Sequence, residues 1–338
     1  MKACIVGYGA VGPVHADAVS RLENAELYAV CDINSERAAL AKAKYGCRVY
    51  SDFDTMLKDG EIDVVHICTP HYLHAGMAKS ALLAGKNVVL EKPVVLTLEE
   101  MDELVELAKG RKNKLCVILQ NRRNASVEAA KRLTDSGELG ALKGLIGGVY
   151  WKRDEAYYAQ DAWRGRWQTE GGGAIINQSI HMLDMMIHLA GPIKTMHSAI
   201  HHWQVGGIEV EDNAHALIDF VGGAKGIFNA TNCYIGDEPY MLELEYERGR
   251  LRYADGRLYK ITKDGTEILA EDEKVMIGKS YWGSGHFYLI RDFYRALAGE
   301  DAHYSSLGEA YNTMCAAFDI YREAGAPCPN NLRNQKGV

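Results

Sequence analysis

The first third of the chain alternates short apolar runs with amphipathic segments. The segments PVHADAVSRLEN, SERAALAKAKYG, HAGMAKSALLAGK and LEEMDELVELAKG separate the apolar runs ACIVGYG, ELYAVCD, VVHICTP, NVVLEKP and KLCVILQ. Uninterrupted apolar character is typical of parallel strands that are covered on both faces. Alternation of such strands with helices predicts an α/β domain with an open, doubly wound parallel sheet of the Rossmann type.

After about residue 120 the pattern changes to alternating apolar and polar positions interrupted by glycine turns. Asp255-Gly256 and Asp264-Gly265 are strong hairpin signals in this part. The pattern predicts an α+β domain built on a large, mainly antiparallel sheet that helices cover on one face. We therefore divide the 338 residues into an N-terminal Rossmann domain over 1–120 and a C-terminal domain over 121–338.

The first apolar run leads into a phosphate-binding type of glycine loop, Gly7-Tyr8-Gly9-Ala10-Val11-Gly12. In such a loop Gly7 permits a tight turn, Gly9 lets a pyrophosphate approach the backbone, and Gly12 lets the next helix pack on the strand. The second strand ends at Asp32, where a carboxylate can accept hydrogen bonds from the ribose hydroxyls of NAD. The same carboxylate repels a 2′-phosphate, so NAD is predicted in preference to NADP.

A lysine follows the strand that ends NVVLEKPV. Ligands of open α/β sheets bind beyond the carboxyl ends of the strands, so we expect Lys92 to point into the ligand cleft. Pro93 restricts the backbone of Lys92 and can form a cis peptide bond. The alternative interpretation is a solvated surface lysine.

Residues 170–186, EGGGAIINQSIHMLDMM, carry three polar groups on one face of an otherwise apolar helix. The spacing of Asn177, His181 and Asp184 predicts that they share this face. The glycines allow the backbone to approach the nicotinamide closely. An imidazole with an ordinary pKa near ~6.5 can accept the proton of an oxidised hydroxyl, so His181 is the predicted base. We expect Asp184 to support the structure or to orient His181.

Further candidates are aromatic, amide, guanidinium and imidazole side chains near the predicted pocket. Aromatic rings stack on sugar C–H surfaces, and guanidinium groups bind hydroxyls or carboxylates. We assign Gln120 to the cofactor site and five residues to the substrate site: Asn177, Arg122, Tyr158, Arg164 and His286. For Arg164 a water-facing role is the alternative, and for His286 the alternative is a helix cap.

Composition narrows the classes of partner and compartment. The net charge of −7 argues against nucleic acid or an anionic membrane surface as a partner. No apolar run reaches the ~18 residues that a membrane-spanning helix needs. None of the eight cysteines forms a C-x-x-C pair, which predicts a reduced, cytoplasmic protein without a structural metal.

Four motifs in order resemble one known family. GYGAVG, CTPHYLH at 68–74, EKP at 91–93 and GGGAIINQSIHMLD at 171–184 are similar to motifs of the glucose–fructose oxidoreductase, inositol dehydrogenase and rhizopine-catabolism (Gfo/Idh/MocA) family. The resemblance implies a homo-oligomer, a dimer or tetramer, formed through the C-terminal sheet. It implies that Lys92 hydrogen-bonds the reacting oxygen and that His181 is the acid or base. Cofactor contacts are implied for Thr69, Pro70, His74 and Glu91.

The resemblance also suggests the reaction. We predict an NAD-dependent oxidoreductase that takes a hydride from a secondary ring hydroxyl of a sugar, glycoside or sugar nucleotide. A glycoside-cleaving enzyme that uses transient oxidation by NAD and elimination is one alternative. An inositol dehydrogenase is another, disfavoured because Asn177 stands where many family dehydrogenases carry Asp. A non-catalytic NAD-sensing regulator is disfavoured by the joint presence of Lys92 and His181.

Overall fold

The protein is described here from a computed structural model that covers residues 1–274, 277 and 283–326. These residues form two compact units. The first contains residues 1–95 and 99–120 and the described part of 275–310, and the second contains residues 96–98, 121–274 and 311–326. A boundary therefore falls between residues 120 and 121, as in the predicted division, but a later segment joins the first unit. The last residues of the second predicted domain, 327–338, lie outside the described part.

Helices and strands follow one another as the hydrophobic pattern predicts. The strands are β1 Lys2–Val6, β2 Glu26–Cys31, β3 Arg48–Tyr50, β4 Val64–Ile67, β5 Asn87–Leu90, β6 Leu115–Val117, β7 Leu142–Tyr150, β8 Ile193–His201, β9 Asn213–Phe220, β10 Lys225–Thr231, β11 Met241–Tyr246, β12 Gly249–Ala254, β13 Arg257–Thr262 and β14 Gly265–Glu271. The helices are α1 Gly12–Ser20, α2 Ser35–Tyr45, α3 Phe53–Leu57, α4 His74–Leu83, α5 Leu98–Ala108, α6 Ala125–Ser136, α7 Glu155–Tyr158, α8 Ile180–Ala190, α9 Gly285–Leu297 and α10 Leu307–Glu323. Among the described residues, no helix combines the length and the apolar character that crossing a bilayer requires.

The first unit is built on a parallel sheet with the strand order β3-β2-β1-β4-β5-β6. The chain leaves the middle of this sheet in both directions, which makes it doubly wound and confirms the predicted α/β fold. The short strand β3 was not among the predicted apolar runs because its side chains are largely exposed. Helix α9 belongs to this unit, since Leu289, Ile290 and Phe293 pack into the same core as Ile5 and Val30.

The second unit is built on an eight-stranded sheet with the order β14-β13-β12-β11-β7-β10-β9-β8. Its neighbouring strands are antiparallel except β7 and β10, which confirms the predicted, mainly antiparallel sheet. The first predicted hairpin is present: Asp255 and Gly256, with φ of 52° and 70°, join β12 to β13. Helices α6 and α8 lie against this sheet, and a Cβ on Gly147 of β7 would touch the sulfur of Met186 on α8.

Candidate functional site

In the glycine loop after β1, packing within the protein requires glycine at positions 7 and 12 but not at position 9. Gly7 has a φ of +88°, and a Cβ there would lie 2.7 Å from the carbonyl oxygen of Cys68. A Cβ on Gly12 would lie 2.2 Å from the carbonyl oxygen of Gly7. The nearest neighbour of a Cβ on Gly9 would be Nη1 of Arg37, at 3.7 Å. The space beside Gly9 therefore suits a ligand phosphate rather than a contact within the protein.

Asp32 is held at the end of β2 by backbone donors. Its Oδ2 accepts a hydrogen bond of 2.7 Å from the N–H of Tyr8, and its Oδ1 accepts one of 2.7 Å from the N–H of Asn34. Each carboxylate oxygen has a further lone pair, so the group can also accept hydroxyl donors. Asp32 is thereby fixed beside the glycine loop in an arrangement that fits a dinucleotide.

The variant Gly9→Ala is expected to weaken NADH binding about 100-fold, equivalent to ~2.7 kcal/mol, because a methyl group would occupy the space for phosphate. Its thermal midpoint should stay close to that of the wild type, since the methyl group would make only an ordinary van der Waals contact with Nη1 of Arg37. In Gly12→Ala the methyl group would collide with the Gly7 backbone, so this variant should lose stability. Fluorescence titration with NADH and thermal scans measure both effects. Unchanged NADH affinity in Gly9→Ala would contradict the assignment.

His74 joins the segment after β4 to the segment after β5. Its Nδ1 lies 2.7 Å from the carbonyl oxygen of Pro93, and its Nε2 lies 2.9 Å from the carbonyl oxygen of Thr69. Burial lowers the pKa of His74 although both carbonyls favour the charged ring. The Lys92–Pro93 peptide is cis. The cofactor contacts of Thr69, Pro70 and His74 remain predictions, and the structure adds a bracing role for His74.

Glu91, directly after β5, is a buried carboxylate held by two histidines. Its Oε1 lies 2.9 Å from Nε2 of His15 and 3.4 Å from Nε2 of His286. Its Oε2 accepts a hydrogen bond of 3.1 Å from the N–H of Lys92. Burial alone would raise the pKa of Glu91, but the hydrogen bonds from His15 and His286 hold it well below its ordinary value. A buried negative charge thus fixes the backbone of Lys92.

A chain of hydrogen bonds continues from His15 into the core of the first unit. Nδ1 of His15 lies 3.0 Å from Nδ1 of His66, and Nε2 of His66 lies 3.0 Å from Oη of Tyr294. Burial lowers the pKa of His66 well below its ordinary value. With uncharged rings, one set of tautomers satisfies the chain: Tyr294 donates to His66, His66 to His15, and His15 to Glu91. Every donor then points toward the carboxylate, which stabilises its charge.

Glu91 and its two histidine neighbours, His15 and His286, are residue types that commonly bind metal ions. The ligand atoms of His15, Glu91 and His286 all lie within 4.8 Å of one another. Two of the distances, 2.9 and 3.4 Å, are accounted for by hydrogen bonding and charge attraction to Glu91. We therefore describe the group as a hydrogen-bonded carboxylate rather than as a metal centre.

In the second unit, glycines 171–173 let the chain pass bulky neighbours. Gly172 has a φ of +150°, and a Cβ there would lie 1.9 Å from Oη of Tyr321. A Cβ on Gly173 would lie 2.2 Å from the carbonyl oxygen of Glu211. The predicted reason for these glycines was close approach to the nicotinamide. Packing within the unit is a second and independent reason.

Glu211 binds the first amide groups of the helical segment that follows the glycines. Its Oε2 accepts from the N–H of Gly173 at 3.0 Å, and its Oε1 accepts from the N–H of Ile175 at 2.8 Å and from Oη of Tyr321 at 2.9 Å. Burial raises the pKa of Glu211 to about 7, against the lowering effect of these donors. Glu211 therefore fixes the start of the segment that contains the predicted polar face.

The variant Glu211→Gln should change how stability depends on pH. Because the folded-state pKa of about 7 exceeds the ordinary value of 4.5, the folded state binds the proton more tightly. The contribution of Glu211 to the free energy of unfolding is therefore greatest at pH values below the ordinary pKa of 4.5 and falls as the pH rises to about 7. The total fall is ~1.4 kcal/mol for each unit by which folding raises the pKa. The variant lacks this titration, so its thermal midpoint relative to wild type should improve between about pH 5 and about pH 8. A pH-independent difference would contradict the prediction.

Asn177 lies in a π-helical turn, Ala174–Ser179, that leads into α8. Its Nδ2 donates to Oε1 of Glu170 at 2.5 Å and lies 3.4 Å from Oη of Tyr157. The same Oη accepts from Nε2 of Gln178 at 2.8 Å and from Nη1 of Arg164 at 2.5 Å. These five side chains form one polar group, which we call the amide cluster.

Other predicted substrate residues of the second unit lie outside the amide cluster. Nε and Nη2 of Arg122 bind both carboxylate oxygens of Asp184, at 2.8 and 2.6 Å, and Thr313 donates to Asp184 at 2.7 Å. Oη of Tyr158 accepts from Nδ2 of Asn232 at 2.9 Å. These bonds give Arg122 and Tyr158 roles within the unit, and Asp184 supports the structure. Contacts of Arg122 and Tyr158 with a substrate stay predictions.

The remaining predicted residues are divided between the two units. His181 lies on α8 in the second unit and is 5% exposed. Gln120 lies in the first unit, where the short helical turn Gln120–Arg123 begins. His286, at the start of α9, also lies in the first unit, beside Glu91. The predicted roles of these residues toward cofactor and substrate remain predictions.

Several buried polar residues of these networks were not predicted from the sequence, among them His15, His66, Glu170 and Glu211. A signal existed for His66, because a histidine in the apolar run VVHIC must find a partner when the strand is buried. Glu170 stands directly before the three glycines, which is a weaker signal. For His15 and Glu211 the partners are distant in sequence, so spacing alone could not identify them.

Comparison with known proteins agrees with this geometry. The profile of the oxidoreductase family with an NAD-binding Rossmann fold, Gfo/Idh/MocA, matches residues 1–119, and the profile of the Gfo/Idh/MocA C-terminal domain matches residues 127–252. The chain is 28% identical to levoglucosan dehydrogenase of Pseudarthrobacter phenanthrenivorans, over 63% of this chain and 60% of that protein. It is 24% identical to myo-inositol 2-dehydrogenase of Thermotoga maritima, over 87% of this chain and 84% of that protein.

A solved structure is similar over almost the full length. The WlbA dehydrogenase from Bordetella pertussis, in complex with NADH and UDP-GlcNAcA, is 27% identical and superimposes with a TM-score of 0.84. The similarity covers 96% of each chain. The two-domain architecture of this chain is therefore shared with a protein whose structure holds both a dinucleotide and a sugar nucleotide.

Proposed function

The chain belongs to the Gfo/Idh/MocA oxidoreductase family, and from this premise we propose that it oxidises a secondary ring hydroxyl of a sugar, glycoside or sugar nucleotide with NAD. The observation that carries the proposal is the glycine loop, in which a Cβ on Gly9 would have no neighbour closer than 3.7 Å and Asp32 is held ready to accept hydroxyl donors. The carboxylate of Asp32 supports NAD rather than NADP, because it would repel a 2′-phosphate.

The proposed chemistry assigns separate tasks to residues of this chain. The glycine loop and Asp32 would hold NAD, which would supply the acceptor for the hydride of the carbinol carbon. Lys92 hydrogen-bonds the hydroxyl oxygen and stabilises negative charge that develops on it. His181 accepts the hydroxyl proton, a type of contribution worth roughly 10²–10⁴ in rate. Glu91 supports Lys92 through its backbone N–H. In the amide cluster, Asn177 and Arg164 are the proposed contacts to substrate hydroxyls.

The substrate class is proposed from the relatives. One is named for levoglucosan, another for myo-inositol, and the WlbA structure holds UDP-GlcNAcA. The test is a panel of free sugars, levoglucosan, UDP-sugars with neutral and acidic rings, and myo-inositol, each with NAD or NADP, followed by NADH absorbance. We expect NADH formation with at least one of the sugar classes. Reduction of NAD by myo-inositol alone would instead favour the inositol dehydrogenase.

A glycoside-cleaving reaction is the second candidate, because Asn177 replaces the aspartate that many family dehydrogenases carry before the histidine. Such an enzyme would return the hydride to its product and release no NADH. Incubation with aryl glycosides, with and without added NAD, separates the two reactions. Release of the aryl group without net NADH formation would support cleavage.

Assembly and compartment are proposed on separate grounds. On the sheet face opposite α8, the side chains of Ile146, Ile227 and Leu217 stand side by side on β7, β10 and β9 and are 37–59% exposed. Such an apolar face favours contact with a second copy of the chain. Light scattering measures the assembly, and a monomer at all concentrations would contradict it. The cysteines of the described part are free, which is compatible with the proposed cytoplasmic location.

A further inference from the structure

We propose that Glu170 is a positioning residue that turns the amide of Asn177 so that its carbonyl oxygen serves as a neutral hydrogen-bond acceptor for a substrate hydroxyl. The inference rests on the proposed function and deepens it. It concerns one pair of side chains in the second unit. It also explains how the chain functions with Asn177 where the family resemblance leads one to expect an aspartate.

The orientation of the amide follows from the two oxygens of Glu170. Oε2 accepts a hydrogen bond from the N–H of Gly165, a group that can only donate. Oε1 lies 2.5 Å from the amide of Asn177. An ionised Glu170 accepts through both oxygens, and the atom of Asn177 that faces it is the NH₂ nitrogen. The carbonyl oxygen of Asn177 is then turned away from the carboxylate.

Burial makes this constraint strong. Glu170 is fully buried, whereas Asn177 is only partly buried and can reach a ligand. A hydrogen bond that involves a charged, buried group is about twice as strong as one between neutral groups. The charged and titratable side chains around the pair include Tyr157, Tyr158, Arg164, Arg153 and Glu211.

The arrangement places the carbonyl oxygen of Asn177 toward the ligand and the negative charge of Glu170 on the side of Asn177 away from the ligand. An aspartate would have combined both in one group. A substrate hydroxyl can donate to the Asn177 carbonyl, whereas a substrate carboxylate would meet the field of Glu170 without gaining a donor from this amide. The inferred ligand of this position is therefore an uncharged ring hydroxyl.

The test is a reciprocal exchange. In Asn177→Asp two carboxylates would face each other, and one of them would have to take up a proton. In Glu170→Gln the new amide can accept from the Gly165 N–H and donate to Asn177 only if Asn177 turns its carbonyl oxygen toward it, which takes that oxygen away from the ligand. In the double variant Glu170→Gln/Asn177→Asp the new amide can accept from Gly165 and donate to the new carboxylate. The double variant thus restores both the bonds and the single negative charge.

We expect each single variant to lower the thermal midpoint by several degrees and the double variant to recover most of the loss. With a substrate from the panel, each single variant should lose roughly tenfold or more in kcat/KM, and the double variant should regain it. Asn177→Asp should also show a new acidic limb in its pH–rate profile. Glu209→Gln, which changes an exposed glutamate paired with Arg166 in the same unit, is the matched control and should match the wild type.

Two results would overturn the inference. Additive losses of thermal stability in the double variant would exclude the pairing. Normal kcat/KM in both single variants would exclude the positioning role even if the pairing holds. Failure of the proposed function is seen separately, because the wild type itself would then reduce NAD with no member of the panel. In that case, the thermal midpoints of the single and double variants still test the orientation of the Asn177 amide.

Discussion

Replacing Lys92 with methionine is expected to reduce turnover by about 10²–10⁴, the range for a positioned group that assists proton transfer or stabilises developing charge. Methionine has a similar length but lacks the ammonium donor. His181→Ala should produce a loss of the same order, because no other group was predicted to accept the hydroxyl proton. Steady-state rates with a substrate from the panel measure both losses.

NADH affinity should change little in either variant, because the glycine loop and Asp32 are untouched. Lys79→Met and His197→Ala are matched controls: Lys79 pairs with Glu103 on the surface, and the His197 side chain is 84% exposed. Wild-type rates are expected for both controls. Turnover that survives in Lys92→Met or in His181→Ala would remove that residue from the chemistry.

Gly172→Ala is expected to have the largest effect on stability. A methyl group at this position would lie 1.9 Å from Oη of Tyr321, and the φ of +150° is unfavourable for any residue with a Cβ. Backbone strain of ~1–3 kcal/mol and overpacking of ~1–3 kcal/mol should add. Movement of Tyr321 would also disturb its hydrogen bond to Glu211. Thermal and denaturant unfolding measure the loss.

The matched control is Gly191→Ala at the opposite end of α8. Gly191 also has a positive φ, of +86°, but a Cβ there would meet no atom within 4 Å. This variant should carry only the backbone strain of roughly 1–3 kcal/mol that a residue with a Cβ has in this conformation. The difference between the two variants isolates the collision with Tyr321. Equal losses in both would show that the neighbours of Gly172 rearrange freely.

Local pattern was sufficient for most of the fold. Continuous apolar runs identified five of the six parallel strands. Strand β3 was not identified, because its side chains are largely exposed and form no apolar run. The hairpin at Asp255-Gly256 was readable because both residues adopt positive φ, which few residue types tolerate. The family membership expected from four short motifs is confirmed by the profile matches to both domain types.

The contacts of the site residues could be predicted from the sequence only in part. The glycine loop and Asp32 have a fixed spacing, and the structure holds them together as the sequence predicts. The predicted contact of His286 with the substrate stays a prediction, and the structure adds a contact with Glu91 that spacing could not show. The partner of Asn177 is Glu170, seven positions earlier, where no pattern in the sequence indicates a role for a carboxylate.

The amino-acid sequence by itself determined the parallel sheet, the mainly antiparallel sheet, the dinucleotide loop and the candidate residues Lys92 and His181, because periodicity and short-range spacing carry that information. Tertiary structure decided which donors form hydrogen bonds to each buried carboxylate. His15 reaches Glu91 across 76 positions, and Tyr321 reaches Glu211 across 110. Burying a charge is costly unless donors surround it, and only the folded chain brings such distant donors to one carboxylate.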